Sequence, residues 1–412
     1  MKKNIDDLAI LGGTPTFREK LHVGRPNLGD RKRLLARFND ILDRRWLTNN
    51  GEYVQDFEKK IAEKIGAKHC IAMCNGTVAL EIAIRALELT GEVIIPSFTF
   101  VATAHALWWQ QIRPVFCDID PATHNIDPDL IQQMITPNTT GIIGVHVWGR
   151  GCDVDALARI ARQKNLKLLF DAAHGFGCSY KGQMIGKFGN AEVFSFHATK
   201  FFNTFEGGAV VTDDDALASK IRLMKNFGFE GYDNVIYIGT NGKMSEISAA
   251  MGITSIESMD GFIAINYSNY KQYLSELEGF PGVSLVHYDE SHMYNYHFIV
   301  LEIDEAMTHI SRDSIVEILH GENILARRYF YPGCHRMEPY RTYFPHSGLL
   351  LPNTERLVKR VMSLPTGESI GKGDISNICQ ILRLVLENGS EISRRISRRN
   401  AAGYDQVPSY GE

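Results

Sequence analysis

Short apolar runs at residues 70–74, 93–95, 114–117, 141–146, 166–170, 191–196 and 209–212 alternate with helical spacing at 78–89, 98–110, 127–135, 153–164 and 213–225. Runs apolar at nearly every position belong to strands covered on both faces. Strands that return through helices build a largely parallel sheet, because parallel neighbours need a long crossover. The expected fold class is therefore α/β. Ligands of such sheets sit beyond the carboxyl ends of the strands. Asn75, Asp171 and Lys200 all fall at or just after such ends.

The remaining chain divides around this block. Residues 1–29 form an arm with turn signals at Gly12-Gly13-Thr14-Pro15. Helical patterns follow at 30–45 and 54–65, and a long one runs over 245–270. We expect a large domain over 30–264, with its boundary in the later half of that long helix. Residues 265–389 read as a smaller α+β domain, with strands near 283–285 and 296–301 and helices at 311–319 and 374–386. Residues 390–412 are Ser/Arg-rich, then contain Gly, Tyr and Pro, and are expected to be a loosely held tail whose arginines face water.

Composition excludes several classes. The chain has 412 residues, 44% hydrophobic and 22% charged, which is ordinary for a globular protein with a large core. A net charge of −4 gives no reason to expect nucleic acid or an anionic membrane as partner. No apolar run is long enough to span a bilayer, and the polar start, Lys2-Lys3-Asn4, does not read as a signal peptide. The seven cysteines are odd in number and lack a CxxC, so we expect reduced thiols, a cytoplasmic protein and no metal site.

The chemistry concentrates at a few residues. Lys200 lies between two apolar strands, where loss of water lowers an amine's pKa and frees its lone pair for an aldehyde. Asp171 closes a buried strand and needs a cationic or N–H partner, such as a protonated pyridine nitrogen. Gly76 and Thr77 open a buried helix after a strand, an arrangement that suits a phosphate. Phe98 and Phe100 offer a ring cover, and Ser195 another hydroxyl. Each has an ordinary reading too: a packed loop lysine, a turn cap, a helix N-cap. Together, in this order on one sheet, they match pyridoxal 5'-phosphate (PLP).

Several stretches carry a family likeness: 46–51, 75–80, 96–103, Asp171-Ala172-Ala173-His174, 195–200, 206–208, 241–250 and 363–365. Over residues 29–386 the chain resembles the DegT/DnrJ/EryC1/StrS family of PLP-dependent sugar aminotransferases. The resemblance implies a PLP-dependent transferase of fold type I, the aspartate-aminotransferase-like fold. It implies that Lys200 bonds the cofactor, Asp171 meets its ring nitrogen, Phe100 stacks on the ring and His174 contacts the ring's hydroxyl side. Gly76, Thr77 and Ser195 would hold the phosphate. Asn241 would reach the phosphate of a neighbouring subunit, making a homodimer with shared active sites. Lys243 stands where the family usually has arginine. Tyr331 and His335 match the substrate-side loop. The implied donor is L-glutamate, and the acceptor a nucleotide-linked keto sugar. His197 with Lys200, Glu206-Gly207-Gly208 and residues 241–250 favour dTDP-4-keto-6-deoxyglucose, giving dTDP-4-amino-4,6-dideoxyglucose. The alternatives are a 3-keto-sugar or cyclitol aminotransferase, or a PLP-binding regulator without turnover.

Overall fold

The computed structural model describes residues 2–401. Its centre is a seven-stranded sheet of β1 (His69–Met73), β2 (Glu92–Pro96), β3 (Arg113–Cys117), β4 (Thr139–Val145), β5 (Lys167–Asp171), β6 (Ala191–Ser195) and β7 (Gly208–Thr212). The spatial order is β1-β7-β6-β5-β4-β2-β3. Every neighbouring pair is parallel except the two made by β7. The exception has a simple cause. No helix separates β6 from β7, so the chain turns back through the lysine loop and pairs antiparallel. Gly208 consequently faces both Met73 and Ser195, and the ends of β1 and β6 meet there.

Helices cover both faces. Alternate strand residues such as Ile71, Met73, Val193 and Val210 pack under α3 (Gly76–Ala86), α4 (Val101–Trp108) and α7 (Asp215–Met224). Their neighbours Cys70, Ala72, Phe194 and Val211 face α2 (Glu52–Ile65) and α8 (Glu246–Leu277). Farther along that face, Ile94, Ile142, Leu168 and Phe170 pack on α5 (Pro128–Met134) and α6 (Val154–Lys164). Among the described residues no helix is long and apolar enough to cross a membrane.

α8 runs unbroken through residues 264–265 and ends at Leu277, because Tyr270, Tyr273 and Leu277 keep burying one face past the expected end. It serves both parts of the molecule. Thr254 and Glu257 bond Arg37 of α1 (Arg31–Arg44), while Gln272 bonds Lys372 and Ser376 of a late helix, Lys372–Glu387. A second, three-stranded antiparallel sheet follows: β8 (Val283–Leu285), β9 (Ile299–Ile303) and β10 (Val361–Leu364).

The expectation of a loose tail is corrected from residue 390 to 401. Gly389–Ala401 is a helix whose Ile392 and Ile396 sit one turn apart and enter the core. Its arginines are also not simply solvated: Arg395 pairs with Asp6 and Arg399 donates to the Ile10 carbonyl. Residues 402–412 lie outside the described residues.

Candidate active site

The meeting of β1, β6 and β7 leaves no room for side chains. A Cβ on Gly208 would stand 2.7 Å from the Asn75 carbonyl carbon and the Gly76 nitrogen. One on Gly76 would stand 2.9 Å from Ser195 Cβ. The first turn of α3 is thereby pressed against Ser195. Asn75 Oδ1 caps that turn by accepting from the Val78 N–H at 2.8 Å. The Gly76 and Thr77 N–H groups precede the first intrahelical bond and have no partner among the described residues, so they stay available to an anion. Thr77 is exposed and Ser195 half-buried. The structure thus brings Gly76, Thr77 and Ser195 to one place.

Asp171 ends β5 and is buried. Its carboxylate accepts from Thr103 Oγ1 at 2.8 Å and from the Ala173 N–H at 3.1 Å. Burial raises its pKa, and those two donors, with the charges of Lys200 and His146, oppose the rise. Lys200 follows a turn closed by its own N–H on the His197 carbonyl, 2.9 Å. Burial lowers its amine to about 8, and the nearby Asp171 charge works against that fall. Its Nζ has no hydrogen bond or ion pair among the described residues.

His174 packs against Trp148, Phe298 and Phe330, with ring centroids 6.0, 4.1 and 5.8 Å away. Its Nδ1 accepts from the Trp148 N–H at 3.3 Å, which leaves Nε2 to carry the ring proton. Burial, then the Lys200 charge, drives its pKa well below the ordinary value, so the ring is a neutral donor. His297 responds to Lys200 in the same way: burial first and that charge second lower it to about 3.

Sequence reasoning missed Thr103, Trp148 and His297. Thr103 had a signal, lying within the 96–103 stretch one helical turn after Phe100. For Trp148 and His297 no local signal existed.

Phe100 is the N-cap of α4 and 57% exposed, facing a cavity of about 520 Å³ with Arg327, Phe330 and Tyr331. Phe98 is corrected: it is fully buried, edge-on to Trp148 and Phe330, because it belongs to the core beneath the site. His335 is corrected too. It is 2% exposed, bonded to Ser97 Oγ and Glu355 at 2.7 Å each, so both ring nitrogens are engaged away from any ligand. Asn241 is exposed, its segment bridged to Asn226, and has no hydrogen bond to the other candidates within the described chain. A larger cavity, about 800 Å³, lies between α2 and the end of α7, where Glu58 pairs with Lys225 and Arg222. Of the residues singled out individually in the sequence, Lys243 alone lines it.

The geometry fits PLP: an unpartnered dry amine, a buried acid, a neutral donor and a side-chain-free cradle at a helix start. The DegT/DnrJ/EryC1/StrS aminotransferase profile matches residues 29–383. The chain belongs to that family. It is 37% identical to the dTDP-4-amino-4,6-dideoxy-D-glucose transaminase of Shigella dysenteriae over 367 residues, 89% of this chain and 99% of the relative. Its identity to the Escherichia coli transaminase of the same name is 35%, covering 87% and 97%. Among solved structures, DesI in the presence of its TDP-sugar product matches with a TM-score of 0.92 and 48% identity, covering 95% of this chain and 100% of that one. As a family member, the protein is a PLP-dependent sugar aminotransferase of the aspartate-aminotransferase-like fold, type I.

Proposed function

We propose that this aminotransferase moves the amino group of L-glutamate to dTDP-4-keto-6-deoxyglucose, giving dTDP-4-amino-4,6-dideoxyglucose, as a cytoplasmic homodimer with shared active sites. The observation that carries the chemistry is the half-buried, unpaired Lys200 amine beside Asp171. The names of the two bacterial transaminases support the choice of sugar.

PLP, when bound, supplies an aldehyde for an amine and a ring that withdraws electrons. The chain's residues do the rest. Lys200, whose amine burial brings down to about 8, would bond the cofactor's aldehyde and would serve as the base for the donor's Cα proton. Asp171 would hold a positive ring nitrogen, and its bonds to Thr103 and Ala173 keep the carboxylate oriented. His174 would donate from Nε2 to the ring's hydroxyl oxygen. Gly76, Thr77 and Ser195 would hold the phosphate at the α3 N-terminus. Phe100 would cover the ring face. Tyr331 borders the room for the sugar nucleotide, and Arg327, which has no ion pair among the described residues, would meet its diphosphate.

Support for the dimer comes from the segment before Asn241. Phe227, Tyr232, Val235, Ile236 and Ile238 are large, apolar and exposed, a surface that a second copy would cover. Asn241 would then reach across to the partner's phosphate.

The decisive experiment incubates the protein with glutamate and the 4-keto sugar and reads the product by mass spectrometry and NMR. Lys200→Ala is expected to abolish turnover and the absorbance of lysine-bound cofactor. Full activity in that variant, or an amino group at C3, would overturn the proposal.

A further inference from the structure

The N-terminal arm ends against the lysine loop. Asn27 is 2% exposed, and its Nδ2 donates to the Phe201 carbonyl at 2.9 Å. Its own carbonyl accepts from Asn203 Nδ2, also at 2.9 Å. Its Oδ1 faces the Glu368 N–H at 3.3 Å. Gly24, at φ +78°, lies so close that a Cβ there would stand 2.6 Å from the Thr199 carbonyl oxygen. Residues 199, 201 and 203 are thus each touched by the arm, and Lys200 sits among them. The loop is also held from the core side: Phe201 and Phe202 are buried, Phe202 against Phe57, Phe176 and Phe196, and Phe201 against His297. It belongs to no helix or strand, and its polar ties to the rest of the chain, besides the arm, are a bond from Ser255 Oγ to the Asn203 carbonyl and one between His297 and the Thr199 backbone, with turns at 197–200 and 196–204.

The arm is itself anchored at its far end. The buried Glu322 carboxylate accepts from the Ala9 N–H, the Thr16 N–H and the Thr16 hydroxyl, each at 2.7 Å, and pairs with Lys2 at 3.2 Å. Asn323 Nδ2 donates to the Phe17 carbonyl, and Leu21–His22 pairs in parallel with Ile324–Leu325. A segment fixed at one end by these bonds meets the loop at the other as a stiff strap.

We propose that this strap positions the reactive amine, with Asn27 as a positioning residue for Lys200. The inference rests on Lys200 being the cofactor lysine and adds a residue to that reaction. Without the Asn27 amide, the Phe201 carbonyl is buried and unpaired, and the loop moves to find water. The amine moves with it, out of its dry surroundings. The groups that face Lys200 from other elements are Asp171, His174 and His297. On its own loop, His197 and Glu206 pair with each other at 3.4 Å in solvent.

The test uses the full chain stripped of PLP, acetic anhydride as the amine probe, and mass spectrometry to follow modification of Lys200 across pH. The wild-type midpoint is expected near the value of about 8. Asn27→Ala raises it by about one unit or more, toward the ordinary lysine value of about 10.4. Asn203→Ala, which breaks the reciprocal bond from the loop side, shifts it the same way. Thr16→Val loosens the arm only at Glu322 and leaves it in place. With PLP restored, Asn27→Ala lowers kcat by about tenfold while KM for the keto sugar holds. Variants that melt cooperatively yet titrate and turn over like the wild type overturn the proposal. Should Asn27→Ala fail to fold, Asn203→Ala alone decides. A wild-type chain with no PLP on Lys200 would sink the reading of the site, whereas the midpoints of the stripped proteins would still decide the positioning role.

Discussion

Lys200 and Asp171 share one dry space with opposite needs, the amine to lose its charge and the acid to keep it. For the amine the cost shows in stability. Its folded pKa, about 8, lies below its unfolded value. Between about pH 8 and the unfolded pKa of about 10.4 the unfolded chain holds a proton that the folded chain does not, so stability of the PLP-free protein rises with pH through that window. Lys200→Met is therefore expected to be more stable than wild type below pH 8, and urea unfolding should show the gap closing as pH rises. For the acid, Thr103 supplies one of two donors. Thr103→Val removes a hydrogen bond to a charged group, of about 1.5–3 kcal/mol, and PLP titration should show affinity reduced at least about tenfold. His174→Gln keeps a neutral donor and should retain most activity. His174→Leu should not, and kcat measured for both variants separates donation from packing.

At the scale of elements, the junction of α3, β6 and β7 works because two glycines let backbones touch. Gly76→Ala forces its Cβ against Ser195 Cβ and Cα, so it should lower the melting temperature and weaken PLP binding together. This junction was legible in the sequence: Asn75-Gly76-Thr77 follows an apolar run, and Glu206-Gly207-Gly208 precedes another. Lys200 and Asp171 were legible for the same reason, since fully buried strands advertise their ends. What stayed hidden was set by distant residues. His335 looked like a ligand contact until Ser97 and Glu355 turned out to hold both its nitrogens. Trp148 and His297 reach the site only through folding. The helix Gly389–Ala401 was misread because its arginines dominate the composition, while Asp6, Ile10 and the core that receive it lie at the other end of the chain. Ile392, fully buried there, gives a direct check: Ile392→Ala should cost about 2–4 kcal/mol in urea unfolding, where a loosely held tail would show nothing.

For the whole molecule, the exposed apolar segment before Asn241 is the surface on which the proposed dimer rests. Ile238 is 76% exposed, so Ile238→Asp should leave the folded subunit intact. Sedimentation should show it shifted toward monomer, with PLP retention falling in parallel if Asn241 completes the partner's site. Elsewhere, the first and last helical stretches of the described chain lie side by side, joined through Arg395 and Asp6 and through Arg399 and Ile10. Such proximity invites circular permutation. A short linker fusing that helix to the arm, with new ends opened at the unobstructed turn around Gly279, would reorder synthesis of the polypeptide without disturbing its three-dimensional arrangement.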